Sequence, residues 1–243
     1  MLSIITTILA FSIQISIIVV FIVILWLLLA DSDRLSRIGK RKKIKYTYIF
    51  DLDGTLIDSS IDIIGSLAKS YAQCGYVGDK SVIIPKEVIG GKIKDIIEKL
   101  TPKISQGNKA RVANCFRDIY DNCGHANTTA YPGVHRFLRD NDCYCVTNKP
   151  EKPAFEIIST LDLRLIDVYA GKRGKTKAQL LGEIIKKNNL KNCVYVGDTP
   201  EDKQAAWENG CKAALVTYGY TRPENLPGCD WLIGDMRELY VRQ

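Results

Sequence analysis

Two aspartates separated by one residue follow an apolar run, in the stretch Tyr48-Ile49-Phe50-Asp51-Leu52-Asp53-Gly54-Thr55. The apolar residues predict a buried strand, and the Asp-Gly pair predicts the loop that ends it. Side chains alternate along a strand, so Asp51 and Asp53 should share one side and repel each other unless a cation lies between them. Hard oxygen ligands favour Mg²⁺, which usually accompanies a phosphate substrate. The alternative is that both aspartates only cap a turn.

Three further loops, each near the end of an expected strand, carry polar residues suited to phosphoryl transfer. The first contains Thr147 and Asn148, whose hydroxyl and amide can bind phosphate oxygens. The second is the cationic turn at 172–177, which opens a helix. The third contains Asp198 and Asp202 around a helix start, an arrangement suited to hydrated Mg²⁺. Four such loops in this order predict one site at the carboxyl edge of a sheet.

Alternating strand and helix patterns predict an α/β fold with a parallel sheet covered by helices. The expected strands are 46–50, 143–147, 168–170, 194–196, 213–217 and 231–233, and the expected helices between them are 152–161, 177–188 and 202–209. Between residues 58 and 129 the apolar spacing is helical, over 61–74, 93–100 and 109–121, with no convincing strand. This block is expected to form a helical lid over the tip of the first strand.

The first thirty residues differ in composition from the rest. Residues 2–30 carry no charged side chain, and 13–30 are interrupted only by Gln14 and Ser16. A bilayer-spanning helix needs ~20 such residues, so a transmembrane anchor is predicted. A cleaved signal peptide is the alternative, but no Lys or Arg precedes Arg34. Seven cations follow in residues 34–45, which by the positive-inside rule predicts a cytoplasmic body.

The charge balance argues against a nucleic-acid partner. Residues 31–45 carry seven positive and two negative charges, which is five of the formal net charge of +7, so the remaining body is nearly neutral. The eight cysteines are scattered without a C-x-x-C pair, and we expect reduced core residues in a reducing compartment. His125 and His135 are isolated and lack ligand spacing, so we expect structural or surface roles for both.

These motifs resemble the haloacid dehalogenase (HAD) superfamily, and within it the phosphoglycolate phosphatase-like branch, over residues 46–235. The branch's cap loop is similar to Ile89-Gly90-Gly91-Lys92, and its return to the core is similar to Tyr131-Pro132-Gly133-Val134. Its second motif is similar to Thr147-Asn148-Lys149-Pro150, and its fourth to 196–199 with Asp202, Ala205 and Ala206.

The resemblance implies a Rossmann-like parallel core with an inserted α-helical cap. The chain then divides into an anchor over 1–30, a basic juxtamembrane linker over 31–45, a catalytic core over 46–58 and 130–243, and a helical cap over 59–129.

The resemblance also implies a role for each catalytic residue. Asp51 would attack phosphorus and form an aspartyl-phosphate. Asp53 would protonate the leaving oxygen and then activate the hydrolytic water. Thr147, with Asn148 beside it, would hold the transferring group.

The resemblance also implies a Mg²⁺ cofactor. Asp198 would ligate the ion together with the Asp51 carboxylate and the Asp53 backbone carbonyl. Asp202 would support that site.

Two lysine assignments are less direct. The branch usually has a Lys-Pro pair as its third motif, whereas Lys172, Lys175 and Lys177 compete here and none precedes a proline. Lys177 fits best because it starts a helix as the family lysine does in some members, and Lys175 is the second choice. In the cap, Lys92 follows two glycines and could approach an anionic substrate closely. The alternative for Lys92 is an exposed lysine on a mobile loop.

The sequence thus predicts a membrane-anchored, Mg²⁺-dependent phosphatase that acts on a small phosphorylated metabolite, phosphoglycolate-like by family default, on the cytoplasmic side. The same residues would serve a sugar-phosphate mutase, a pyrophosphatase or a nucleotidase. Phosphonate cleavage with Lys92 as a Schiff base is a further alternative. A non-catalytic, membrane-anchored binding module is the alternative from a different class. No protein partner can be inferred.

Overall fold

The computed structural model describes residues 22–24, 26, 45–76, 84–172 and 174–242. The chain divides into two units, Met1–Ile44 and Lys45–Gln243. Most of the anchor predicted over 1–30, and most of the linker over 31–45, lie outside the described residues; residues 22–24 and 26 are helical. Within the described ranges, no helix combines the length and the apolar character needed to cross a bilayer.

The second unit is built on a six-stranded parallel sheet with strand order β5-β4-β1-β6-β7-β8. The strands are β1 (Thr47–Phe50), β4 (Cys143–Pro150), β5 (Asp167–Gly171), β6 (Cys193–Gly197), β7 (Lys212–Val216) and β8 (Trp231–Ile233). Every strand expected from the sequence is present, and the predicted α/β class is confirmed. Because β1 lies between β4 and β6, the connections leave it in opposite directions, which creates a cleft at its carboxyl end.

Helices cover both faces of this sheet. They are α4 (Val134–Asp140), α5 (Glu151–Thr160), α6 (Lys177–Lys187) and α7 (Pro200–Glu208). One face packs Phe50 and Val196 against Phe137 of α4 and Ile157 of α5. The other face packs Ile49 and Tyr195 against residues of α6 and α7. Burying both faces explains why the strands have nearly continuous apolar sequences.

Three helices lie between β1 and β4 in the sequence, namely α1 (Ser60–Gln73), α2 (Ile93–Leu100) and α3 (Gln106–Tyr120). They share a separate hydrophobic cluster that includes Leu67, Ile97 and Val112. A short antiparallel pair, β2 (Ile57–Asp58) and β3 (Thr129–Ala130), joins the two ends of this block. We call α1–α3 with their connections the cap. The sequence did not predict β2 and β3, because two residues are too few to show alternation.

Candidate active site

The four polar loops meet at the carboxyl edge of the sheet, around β1, β4 and β6. The Asp51 N–H donates to the Val196 carbonyl over 2.8 Å, so the first aspartate continues the β1–β6 ladder. Asp198 follows the end of β6 directly, and Thr147 lies within β4 beside β1. The parallel arrangement therefore brings residues that are about 50 to 150 positions apart in sequence to one edge.

Lys177 bridges two buried carboxylates. Its Nζ donates to Asp51 Oδ2 over 2.9 Å and to Asp202 Oδ1 over 2.6 Å. The lysine is the first residue of α6, and its position is fixed by a capping box in which Thr176 and Gln179 bond each other's backbone N–H. Lys177 is thereby held where its side chain enters the site.

Asp202 also organises the loop that carries Asp198. Its Oδ2 accepts from the N–H of Asp198 over 3.0 Å, the N–H of Thr199 over 2.9 Å and the Thr199 hydroxyl over 2.6 Å. Asp198 Oδ2 accepts from the Tyr220 N–H over 2.7 Å. Both Asp202 oxygens are therefore engaged within the protein, whereas Asp198 keeps one oxygen free.

Burial controls the protonation of these groups. It raises the pKa of Asp51 to about 7, against the opposing charge of Lys177. Burial, with the charges of Asp202 and Asp51, raises the pKa of Asp198 to about 8. Burial alone would lower the pKa of Lys177, but the charges of Asp202 and Asp51 outweigh it and raise that pKa well above its usual range. With all three carboxylates ionised, the site would therefore carry more negative charge than Lys177 neutralises.

This cluster fits a divalent cation. Asp51, Asp198 and Asp202 each offer a carboxylate oxygen, and these three oxygens lie within 4.8 Å of one another. Asp51 Oδ1 and Asp198 Oδ1 are buried and have no hydrogen-bond partner in the described part of the chain. Unpaired buried carboxylate oxygens are costly, and a hard cation bound within this cluster would offset that cost. Asp51 and Asp198 are thus the best placed of the four predicted ligands.

The Asp53 side chain has a different set of partners. Its Oδ1 and Oδ2 accept from Lys149 Nζ over 2.9 and 3.1 Å, and its Oδ1 also accepts from the Ser59 hydroxyl. Lys149 Nζ donates in addition to Tyr120 Oη over 2.6 Å. Burial alone would lower the pKa of Lys149, but Asp53 and Tyr120 outweigh it and raise that pKa. Both carboxylate oxygens of Asp53 are therefore engaged within the protein, and its backbone carbonyl is the group that it could offer to a metal.

Two polar residues of β4 complete the carboxyl edge. The Thr147 hydroxyl oxygen accepts from the Lys149 N–H over 3.1 Å, which leaves its own proton free. Asn148 Nδ2 donates to Glu201 Oε2 over 2.9 Å. Both residues line the same cavity as Asp51, so they are positioned to contact an anionic ligand there.

The remaining predicted lysines lie elsewhere. Lys175 is paired with Glu183 and Lys172 lies near Glu151, both on the surface. Neither lines the cavity, so Lys177 is the member of the basic turn that reaches Asp51. Lys92 is exposed and lies on the cap side of the cavity, immediately before α2.

A cavity of about 490 Å³ separates the carboxyl edge from the cap. Its floor carries Asp51, Thr147 and Lys177, and its cap side is formed by residues 89–96 with Phe116 and Tyr120. A volume of this order accommodates a small metabolite. Chemistry at Asp51 would therefore take place beneath the cap.

Four residues of this site have no role predicted from the sequence, namely Ser59, Tyr120, Lys149 and Tyr220. Lys149 was visible as part of the second motif, but nothing nearby in sequence indicates its partners. Ser59 N–H donates to Tyr220 Oη over 2.9 Å, between residues that are 161 positions apart. Such contacts depend on how the cap packs on the core, and local spacing carries no signal for them.

The chain is similar in sequence to known proteins. A family profile described as haloacid dehalogenase-like hydrolase matches residues 48–216. A phosphoglycolate phosphatase of Vibrio parahaemolyticus is 27% identical over 213 residues, covering 78% of this chain and 92% of its own. One from Aquifex aeolicus is 29% identical over 189 residues, covering 72% and 85%.

Solved structures show the same fold. A haloacid dehalogenase-like hydrolase of Streptococcus pneumoniae superposes with a TM-score of 0.72 at 20% identity, covering 82% of this chain and 98% of its own. A predicted phosphoglycolate phosphatase from Haemophilus somnus gives a TM-score of 0.69 at 21% identity, covering 81% and 97%.

Proposed function

The chain belongs to the haloacid dehalogenase-like hydrolases, and from that premise we propose that it is a Mg²⁺-dependent phosphatase of small phosphomonoesters. One observation carries the proposal. The buried Asp51 carboxylate has a free Oδ1 and faces a cavity, while its Oδ2 is held by Lys177. A fixed, unpaired carboxylate oxygen beside a cation is the arrangement that nucleophilic attack on a phosphoryl group requires.

In the first step, Asp51 attacks phosphorus and the bond from phosphorus to the ester oxygen breaks. The ester oxygen leaves with a proton from Asp53, and the phosphoryl group remains on Asp51 as an aspartyl-phosphate. In the second step, Asp53 removes a proton from water as the water attacks the same phosphorus. The acyl-phosphate bond breaks, which releases inorganic phosphate and regenerates Asp51.

The surrounding residues orient the phosphoryl group. Lys177 supplies positive charge beside Asp51, and the free Thr147 proton can be donated to a phosphoryl oxygen. Mg²⁺, held by Asp51 and Asp198 with the Asp53 carbonyl and support from Asp202, would neutralise charge on the phosphoryl oxygens. Asp202 acts mainly by fixing Lys177 and the Asp198 loop, because both of its oxygens are engaged.

The relatives named phosphoglycolate phosphatase make phosphoglycolate the first substrate to test. That substrate carries a carboxylate beside its phosphate. Lys92, on the cap side of the cavity, is the cation that we propose for contact with this second anionic group.

Membrane attachment is a separate proposal that rests on the sequence. The uncharged residues 2–30 and the seven cations that follow support a single-pass anchor with a cytoplasmic catalytic unit. Extraction of membranes at alkaline pH tests the anchor, since an integral protein stays in the pellet. External protease applied to intact cells tests the orientation, because cleavage of the body would place it outside.

Hydrolysis of a panel of phosphate esters by the full-length chain tests the catalytic proposal. Each ester is assayed with Mg²⁺ and with EDTA, using wild type, Asp51→Asn and, as a matched control, Asp118→Asn on the exposed side of α3. We expect Mg²⁺-dependent turnover in wild type and Asp118→Asn and none in Asp51→Asn. Full activity of Asp51→Asn would defeat the assignment of the nucleophile.

A further inference from the structure

Lys149 is a buried cation for which the proposed reaction leaves no role. Its side chain is 3% exposed, and its ammonium lies between Asp53 of the core and Tyr120 of the cap. An isolated buried ammonium is costly, so its position is determined by the acceptors around it. The residues that supply those acceptors therefore indicate what Lys149 does.

The donors of Lys149 are fully used inside the protein. An ammonium has three N–H groups. Lys149 Nζ has three acceptors, which are Asp53 Oδ1 at 2.9 Å, Asp53 Oδ2 at 3.1 Å and Tyr120 Oη at 2.6 Å. The ammonium also lies 4.7 Å from the centre of the Tyr120 ring. Lys149 lines the cavity, but its three N–H groups are all directed at Asp53 and Tyr120.

The Asp53 carboxylate needs such support. Its side chain is 21% exposed, and a general acid must hold one oxygen within hydrogen-bond reach of the leaving group. Contact with both carboxylate oxygens fixes the rotation of the carboxylate, which a single hydrogen bond would not do. The Ser59 hydroxyl donates to Oδ1 from the other side.

We propose that Lys149 is a positioning residue for Asp53, and that Tyr120 connects this positioning to the cap. The inference rests on the proposed role of Asp53 as acid and base. Tyr120 is the last residue of α3, so its contact with Lys149 spans the cap and the core. Withdrawal of α3 would remove one of the three acceptors and loosen the group that orients the acid. The orientation of the Asp53 carboxylate would therefore depend on the position of the cap over a bound ester.

The leaving group provides a test that a purely structural role would not satisfy. Three esters are compared through kcat/KM, which reports the step that forms the aspartyl-phosphate. Phosphoglycolate and ethyl phosphate release alkoxides that need a proton, and only the first carries a carboxylate. The leaving group of p-nitrophenyl phosphate departs without protonation, so it does not need the acid.

We expect Lys149→Met to lower kcat/KM by ~10²-fold for both alkyl esters and by less than tenfold for p-nitrophenyl phosphate, since general acid catalysis contributes ~10²–10⁴-fold. Tyr120→Phe should show the same pattern with smaller losses. The matched controls are Lys109→Met, a buried lysine paired with Glu98, and Tyr71→Phe, a buried cap tyrosine bonded to Thr101. Neither control residue lines the cavity. Both control variants should therefore keep the wild-type ratios of kcat/KM among the three esters.

Other outcomes would overturn the inference. A loss confined to phosphoglycolate would make Lys149 a ligand for the substrate carboxylate. Equal losses of kcat/KM on all three esters, or no loss, would show that Lys149 does not act through Asp53. If Lys149→Met does not fold, as judged by thermal unfolding beside Lys109→Met, Tyr120→Phe decides alone. Failure of the proposed function can be distinguished from failure of this inference, because it would appear as an inactive wild type or an active Asp51→Asn variant.

Discussion

Lys177 Nζ donates a hydrogen bond to Asp51 Oδ2 over 2.9 Å, although the two residues are 126 positions apart in the sequence. Both side chains are almost fully buried, at 4% and 7% exposure, so solvent and salt screen the pair weakly. The same ammonium bonds Asp202. Loss of Lys177 would leave two buried carboxylates without their shared counter-charge.

Replacement of Lys177 by Met should therefore reduce both activity and stability. We expect kcat to fall by ~10²–10³-fold, the usual effect of removing one group that stabilises charge in the transition state. Breaking a buried ion pair costs ~3–5 kcal/mol of unfolding free energy. Lys175→Met is the matched control, since Lys175 is partly exposed and paired with Glu183 at the surface. Wild-type kinetics in Lys177→Met, or an equal loss in Lys175→Met, would contradict the prediction.

Metal-free stability should fall as the pH rises from about 4 to about 8. Burial raises the pKa of Asp51 from 3.8 to about 7 and that of Asp198 from 3.8 to about 8. In this range the folded protein keeps protons that the unfolded chain has released, so raising the pH favours unfolding. If Mg²⁺ binds the ionised carboxylates as proposed, it should oppose the fall, most strongly near pH 8.

Thermal unfolding at pH 5, 6, 7 and 8, with EDTA or with Mg²⁺, measures this dependence. A change of ~1 kcal/mol moves Tm by about 2–4 °C in a domain of this size, which is readily resolved. Asp198→Asn removes one titrating group, so its Tm in EDTA should depend less on pH, and Mg²⁺ should stabilise it less. A wild-type Tm in EDTA that rises between pH 5 and 8 would show the opposite linkage.

The sequence predicted the parts of the site that short motifs encode. Asp51 and Asp198 each follow an apolar strand, so their position at the carboxyl edge follows from the strand pattern. Among Lys172, Lys175 and Lys177, the expected helix start at residue 177 favoured Lys177 and kept Lys175 as the second choice. The Thr176 capping box sets that start in the structure.

Contacts between cap and core could not be predicted in the same way. Lys149 and Tyr120 are 29 positions apart, and their 2.6 Å contact depends on the end of α3 meeting the end of β4. Helical periodicity predicted the cap helices, since their apolar residues recur at that spacing. It carries no information on which polar side chain at a helix end will meet the core.

Lys92→Ala should weaken binding of substrates with a second anionic group. Lys92 is an exposed cation on the cap side of the cavity. We expect KM for phosphoglycolate to rise about tenfold, equivalent to ~1.4 kcal/mol, while kcat changes little. KM for p-nitrophenyl phosphate, which lacks the carboxylate, should stay near its wild-type value. Lys99→Ala, which removes an exposed lysine of the cap helix α2, is the matched control. An unchanged KM for phosphoglycolate would remove Lys92 from the substrate contact.

Gly54 is required for the close approach of the nucleophile loop to Asp198. Its φ of +76° favours glycine, and an added Cβ would collide with Asp198 Oδ2. Gly75 has a similar φ of +78°, but a Cβ there would meet nothing within 4 Å. Gly54→Ala and Gly75→Ala should therefore share a backbone cost of ~1–2 kcal/mol. Only the first should displace the Asp198 carboxylate.

We expect Gly54→Ala to lose ~10²-fold or more in kcat, because a displacement of about 1 Å has that effect on a reacting geometry. Gly75→Ala should keep wild-type kcat at a modestly lower Tm. Mg²⁺ should raise the Tm of Gly75→Ala as it does for wild type and should stabilise Gly54→Ala much less, since the added methyl group acts through Asp198. Equal kcat in the two variants would mean that the contact between Gly54 and Asp198 does not limit the site, and that only the shared backbone strain had been measured.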